Sequence, residues 1–290
     1  MLKNLEFKTI SVDSPSYPKR LLDLHDPPSK LHIAGEIIPE DSLALAVVGS
    51  RKMTGYGKDV CEEIVSQAAA MGVTIVSGLM YGIDLTAHKA ALQAGGRTIG
   101  VLGFGKNFIH KVQDNEIVSQ MVCKGAVITE FDEDEGGAPW TFPKRDRLIA
   151  ALSSAVLVVE AAERSGTSYT VTAALELGKE VMAVPGSIFS PVSRGTNKMI
   201  KDGASLVCDV NDILEVLDVA AKAKKIAFQR ESPISGEEEA IFDVLKGGEL
   251  YIDEIAQKSG FPIQEVSAYL TSLELKGMVK NIGGNIYRRI

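Results

Sequence analysis

Three basic residues, Lys144, Arg145 and Arg147, lie within four positions of one another, close behind Phe142 and Trp140, the only tryptophan in the chain. Cations that pair with phosphates beside an aromatic face that stacks on a base form the arrangement used to hold single-stranded nucleic acid. A helical pattern, LIAALS at 148–153, begins directly after them. The positive end of a helix dipole repels cations, so three of them there point to an anion partner.

Other anion-binding chemistry recurs along the chain. Gly49, Ser50, Arg51 and Lys52 are followed by Thr54, Gly55 and Gly57. Glycine lets backbone amides approach a phosphate, and a helix N-terminus attracts it. The spacing is not G-x-G-x-x-G, so the dinucleotide fingerprint is absent. Arg164, Ser165, Gly166 and Thr167 open a further helix with hydroxyl and amide donors. Gly186 and the stretch Arg194 to Lys198, with Asn197, add a weaker group. Asp84 has the position of an N-cap, and His88 reads as a buried, hydrogen-bonded structural residue. The acidic stretch 130–135 reads as a mobile surface loop. No Walker lysine, G-x-S-x-G elbow, H-E-x-x-H or clustered metal ligands are visible, so neither catalytic residues nor a metal or cofactor are expected.

These residues need a frame. Between 43 and 217, apolar runs at 43–48, 73–77, 98–102, 126–129, 155–159, 180–184 and 205–207 alternate with helical patterns such as 59–71, 84–94 and 169–177. Continuous rather than alternating apolar runs mark strands covered on both faces. The expectation is an α/β fold, an extended Rossmann-like, doubly wound, mostly parallel sheet with ligands at the carboxyl ends of its strands. Each anion-binding group above follows one of these strands.

A proline-rich stretch within residues 1–42 reads as an extended arm packing on the core, and 218–236 as a linker. Residues 237–290 read as three helices and a hairpin joined at Gly283–Gly284, a winged helix-turn-helix. That segment holds six basic against nine acidic residues. A duplex reader needs cations facing phosphates, so this domain is expected to contact protein.

The 290 residues carry a net charge of −7, which sets solubility and steering but leaves a local basic site possible. No apolar run approaches the length of a membrane span, and the N-terminus lacks the apolar core of a signal peptide. A soluble, cytoplasmic protein is expected. Cys61, Cys123 and Cys208 are odd in number and widely spaced; they read as small buried side chains rather than disulfides or zinc ligands.

The segments AVVGSRKMTGYG, SGLMYGIDLTAHKAAL, FPKRDRLIAALSSAVLVVEA, SGTSYTVTAALELGKEVMAVPG and RGTNKMIKDGASLV resemble, in order, the bacterial DNA-processing protein A family, also called Smf. The resemblance implies a Rossmann-like domain that binds single-stranded DNA as a homodimer in natural transformation, protects it and loads the RecA recombinase onto it. It assigns phosphate contacts to Arg51, Lys144, Arg145 and Arg147, a base contact to Phe142, and hydroxyl and amide contacts to Ser165, Gly166 and Thr167. Lys52, Arg164, Gly186 and Asn197 complete the expected DNA site. The chain departs from the family pattern at Asp146, where asparagine is usual, at Met80, where a small residue is usual, and over 104–110.

Two other readings stand beside this one. Related nucleotide phosphoribohydrolases carry P-G-G-x-G-T-x-x-E; aligned on Gly166-Thr167, the acid position holds Thr170, and Arg164-Ser165 replace the paired glycines. Glycosidic cleavage would then lack its acid–base carboxylate. A nucleotide-sensing module without DNA binding is the third. Release of free base from nucleoside monophosphates separates the enzyme from both binding readings.

Overall fold

The computed structural model describes residues 5–112, 114–217, 235–275 and 278–289. The chain divides into two compact units, Met1–Ala221 and Lys222–Ile290. Residues 218–234 of the expected linker lie outside the described residues, and Gly236 already begins a helix.

The first unit is built on a nine-stranded sheet. In chain order its strands are β1 (Lys8–Ser11), β2 (Lys30–Gly35), β3 (Ala44–Val48), β4 (Thr74–Gly78), β5 (Thr98–Val101), β6 (Ala126–Thr129), β7 (Ala155–Val158), β8 (Glu180–Ala183) and β9 (Ser205–Leu206). They lie in the order β1-β2-β6-β5-β4-β3-β7-β8-β9. From β6 to β9 all neighbours are parallel. Between them run α1 (Gly55–Ala70), α2 (Ile83–Gln93), α3 (Asn115–Lys124), α4 (Thr141–Leu152), α5 (Thr167–Glu176), α6 (Arg194–Lys201) and α7 (Val210–Val216).

The chain starts its parallel core at β3, builds outward through β4, β5 and β6, then returns to the other side of β3 with β7. The strand order therefore reverses between β3 and β7, the point where doubly wound sheets open a ligand crevice at their carboxyl ends. All five residues of β3 are buried. Leu45 and Val47 enter a core shared with α1, α2 and α7, while Ala44, Ala46 and Val48 enter the opposite core under α4 and α5. Burial on both faces explains the uninterrupted apolar run.

The expected N-terminal arm is more than an arm. β1 and β2 extend the sheet: β2 pairs antiparallel with β6, and β1 pairs antiparallel with β2. Four central residues of β2 are buried, but three of the four in β1 are exposed, so the pair carries no strong alternation in sequence. Of the cysteines, Cys61 is buried as expected, whereas Cys123 and Cys208 are exposed.

The second unit contains α8 (Gly236–Val244), α9 (Ile252–Ser259) and α10 (Ile263–Leu275), with a three-stranded sheet of β10 (Leu250–Tyr251), β11 (Val279–Gly283) and β12 (Ile286–Arg289). Ser235 caps α8, accepting from the Glu238 amide while the Glu238 carboxylate accepts from its own. β11 and β12 form the wing; β10, too short to read in sequence, pairs with β12. Ile241, Leu245, Ile255, Val266, Leu270 and Leu273 form its core. Within the wing, Arg289 lies over the Phe242 ring at 3.8 Å and Arg288 faces Glu249 at 3.8 Å. No helix among the described residues is long and apolar enough to cross a membrane.

Candidate nucleic-acid interface

At the switch point lies a crevice of about 740 Å³. The turn after β3 supplies Gly49, Ser50, Arg51 and Lys52; the turn after β7 supplies Arg164, Ser165, Gly166 and Thr167; α4 supplies Phe142, Arg145 and Asp146. Eight of the twelve residues expected in the DNA site thus meet in one cavity. Arg51 and Lys52 are exposed, and the Arg51 guanidinium stands 5.3 Å from the centre of the half-buried Phe142 ring. Such a cation–π contact contributes about 0.5–1 kcal/mol and holds both groups facing the cavity. Ser165 Oγ and Thr167 Oγ1 hydrogen bond to each other at 2.5 Å at the start of α5.

Helix geometry divides the basic cluster. α4 begins at Thr141, seven residues before the apolar run that announced it, and carries the whole FPKRDR stretch. Phe142, Arg145, Asp146 and Ile149 share the i, i+3, i+4, i+7 face that lines the crevice. Lys144 and Arg147, three apart on another face, line a separate 270 Å³ pocket with Asp26, Pro28 and Glu130. The anion their position demands is internal: Arg147 Nη2 donates to Glu130 Oε2, and Lys144 lies 3.8 Å from the same oxygen. This corrects the reading of 130–135 as a surface loop at its first two residues, while 132–134 are exposed as expected. The Glu130 side chain is only 4% exposed, and Phe131 is buried. Burial pushes the Glu130 carboxyl up despite Arg147 and Lys144.

Arg145 also differs from expectation. It is buried, donating through Nη1 to Val101 O and through Nε to Asp146 Oδ1 at 2.8 Å. It shapes the crevice floor instead of presenting a free phosphate partner. Gly186 and Asn197 lie outside the cavity lining and satisfy each other: the Gly186 amide donates to Asn197 Oδ1 (3.1 Å), and Asn197 Nδ2 donates to Gly186 O (2.9 Å).

The glycine-rich first turn is not an empty anion nest. Glu160, at the end of β7 and 1% exposed, accepts from the Thr54 amide (2.8 Å) and Thr54 Oγ1 (2.6 Å). Its carboxylate occupies the positive end of α1, where a dinucleotide's phosphates would sit. Gly57 permits this, because a Cβ there would stand 2.2 Å from Glu160 Oε2.

Asp84 is the residue whose part sequence reasoning missed. Gly82, at φ +78°, is the N-cap of α2, and a Cβ on it would collide with Ser50 O. Asp84 instead turns into the crevice lining, and burial pushes its carboxyl up to about 7, opposed by Arg145 and Arg51 and reinforced by Asp146. Burial raises Asp146 as well. Asp84 loses its negative charge as pH falls through about 7, so a polyanion in the crevice binds more tightly at pH 6 than at pH 8. At an effective dielectric near 20, a unit charge lost about 8 Å from a phosphate is worth about 2 kcal/mol. Asp84→Asn should remove that step, read by equilibrium binding across this range. His88, in contrast, is structural as expected: Nδ1 meets Thr98 Oγ1 and Nε2 meets Gly78 O, and burial lowers it to about 4.

Comparison with known proteins decides the family. Residues 8–218 match the family model described as DNA recombination-mediator protein A, and 227–285 match the DprA winged helix domain. The chain belongs to the DNA recombination-mediator protein A family. Among its relatives, the Protein Smf of Escherichia coli is 40% identical over 288 residues, covering 96% of this chain and 76% of that protein. The crystal structure of DNA processing protein A from Streptococcus pneumoniae superposes with a TM-score of 0.67 at 35% identity, covering 72% of this chain and 74% of that one. The family's Helicobacter pylori member, whose structure describes a single-stranded DNA binding mode, gives 0.65 at 27% identity over 73% and 96%. The Rossmann-like core with a C-terminal winged helix, expected from sequence, is therefore the family's fold.

Proposed function

We propose that this protein binds single-stranded DNA in the switch-point crevice and acts in DNA processing during natural transformation or recombination, without catalysing a reaction. The observation that carries this reading is the pairing of Arg51 with Phe142 at the mouth of that crevice, flanked by Lys52, Arg164 and the donor-rich start of α5. A fixed cation for phosphate beside a ring for a base is what single strands need and duplexes do not. Membership of the family supports the same role, and with it strand protection, loading of a RecA-type recombinase and a homodimeric, cytoplasmic protein.

The binding reading is favoured over a nucleotide hydrolase by two features. The α1 terminus is filled by Glu160, and the position of the hydrolase acid holds the buried Thr170. The winged-helix unit is assigned a protein partner, since Arg288 and Arg289 are engaged within it.

Phe142→Ala tests the reading. Provided its melting curve matches the parent, the variant should lose roughly 1–3 kcal/mol of affinity for single strands. The slope of log affinity against log salt should not change, because no phosphate contact is lost. Undiminished affinity in a folded variant would remove the base contact from the crevice.

A further inference from the structure

Every exposed Phe, Tyr or Trp side chain among the described residues of the first unit lies at one edge of the sheet. They are Tyr56, Tyr81, Trp140, Tyr169 and Phe189, between 47% and 86% exposed. Tyr56 sits in the first turn of α1 after β3, Tyr81 between β4 and α2, and Trp140 ahead of α4 after β6. Tyr169 sits in the first turn of α5 after β7, and Phe189 in the loop after β8. All five positions follow the carboxyl ends of parallel strands; the loops at the opposite ends carry none. Aromatic surface left in water at five neighbouring loops is unfavourable unless something covers it.

We infer that these rings form a stacking track for a single strand of nucleic acid, running along the carboxyl edge of the sheet and through the crevice. The inference rests on the single-strand reading above and adds stations outside the crevice. Strand order sets the sequence of stations as Trp140, Tyr81, Tyr56, Tyr169 and Phe189. At about 4.8 Å between neighbouring strands, the stretch from β6 to β8 spans about 24 Å, enough for several nucleotides.

Charge selects the occupant. The cavity midway along this edge presents Arg51, Lys52 and Arg164, none of which forms an ion pair with a described residue. A protein partner would find isolated rings separated by cations; a single strand offers a base to each ring and phosphates to the cations between them. The rings are also held apart: the Tyr56 hydroxyl donates to Pro185 O (2.7 Å), and the Trp140 ring packs edge-on against Phe131 at 6.2 Å between centroids.

Trp140 is the only tryptophan, so its emission reports on this edge alone. The full chain is titrated with an oligothymidylate of about 15 nucleotides, within the range that single-strand sites cover. Emission should be quenched in step with binding. Phe189→Ala and Tyr81→Ala, both outside the crevice lining, should each weaken binding about tenfold without changing the salt slope. If the parent binds but its emission is constant and both variants bind as tightly as the parent, the track is wrong while the crevice site stands. A variant with unchanged affinity but a changed oligomeric state would also overturn the track, assigning its ring to a subunit contact. A parent that does not bind the strand refutes the single-strand reading and the track with it.

Discussion

Arg51→Ala should weaken single-strand binding by ten- to a hundredfold, the largest loss from any single crevice residue. A hydrogen bond to a charged group contributes about 1.5–3 kcal/mol, and Arg51 also orients the Phe142 ring. The side chain is exposed and forms no ion pair with any described residue, so its removal should leave the fold intact. One lost phosphate contact lowers the salt slope by about 0.7 for a single strand. The pair of measurements distinguishes the two halves of the site: Arg51→Ala changes affinity and slope together, Phe142→Ala changes affinity alone. An Arg51 variant that retains the parent's slope would mean that its guanidinium does not meet a phosphate.

The second large effect concerns stability, and it separates two residues that are near neighbours in sequence. Arg147→Ala should cost about 3 kcal/mol, because it strips the Glu130 carboxylate of its close partner in a buried position. For a unit of this size that corresponds to a fall in Tm of roughly 6–12 °C. Glu130 is already raised by burial, and losing Arg147 raises it further. The folded variant then holds a proton that the unfolded chain has released, so its stability falls as pH rises through that range. The deficit should be smaller at pH 5 than at pH 8. Lys144, 45% exposed and 3.8 Å from Glu130, carries little of the fold, since exposed pairs contribute about 0–1 kcal/mol. Lys144→Ala should melt with the parent. If Arg147→Ala melted like the parent, Glu130 would not depend on it.

The parallel core was legible because its strands from β3 to β7 are buried throughout and stand as apolar runs between helical patterns. β1 and β2 were not: the exposed β1 and the prolines around it hide the pair, although Thr9 and His32 hydrogen bond across it. The grouping of the loop residues at one crevice was legible for a related reason. Arg51, Lys52 and Arg164 to Thr167 follow strand ends, so the fold alone brings them to one crevice. The basic cluster was misread at a single step, the start of α4. Once the helix begins at Thr141, the spacing of Phe142, Lys144, Arg145 and Arg147 sends them to two faces. Two features left no sequence signal at all. Glu130 and Glu160 act as internal anions only because strands distant in sequence place them against Arg147 and the start of α1.

The crevice, and not the winged helix, should receive nucleic acid, and it should take a single strand. This is tested most directly by the affinity of the full chain for one sequence, presented as a single strand and as a duplex, across a range of salt. A strong preference for the single strand is expected, abolished by Arg51→Ala, with little dependence on sequence, because the crevice lining holds no asparagine or glutamine to read base edges. Tighter binding to the duplex, undiminished in Arg51→Ala, would contradict it and move the main binding surface to the winged-helix unit.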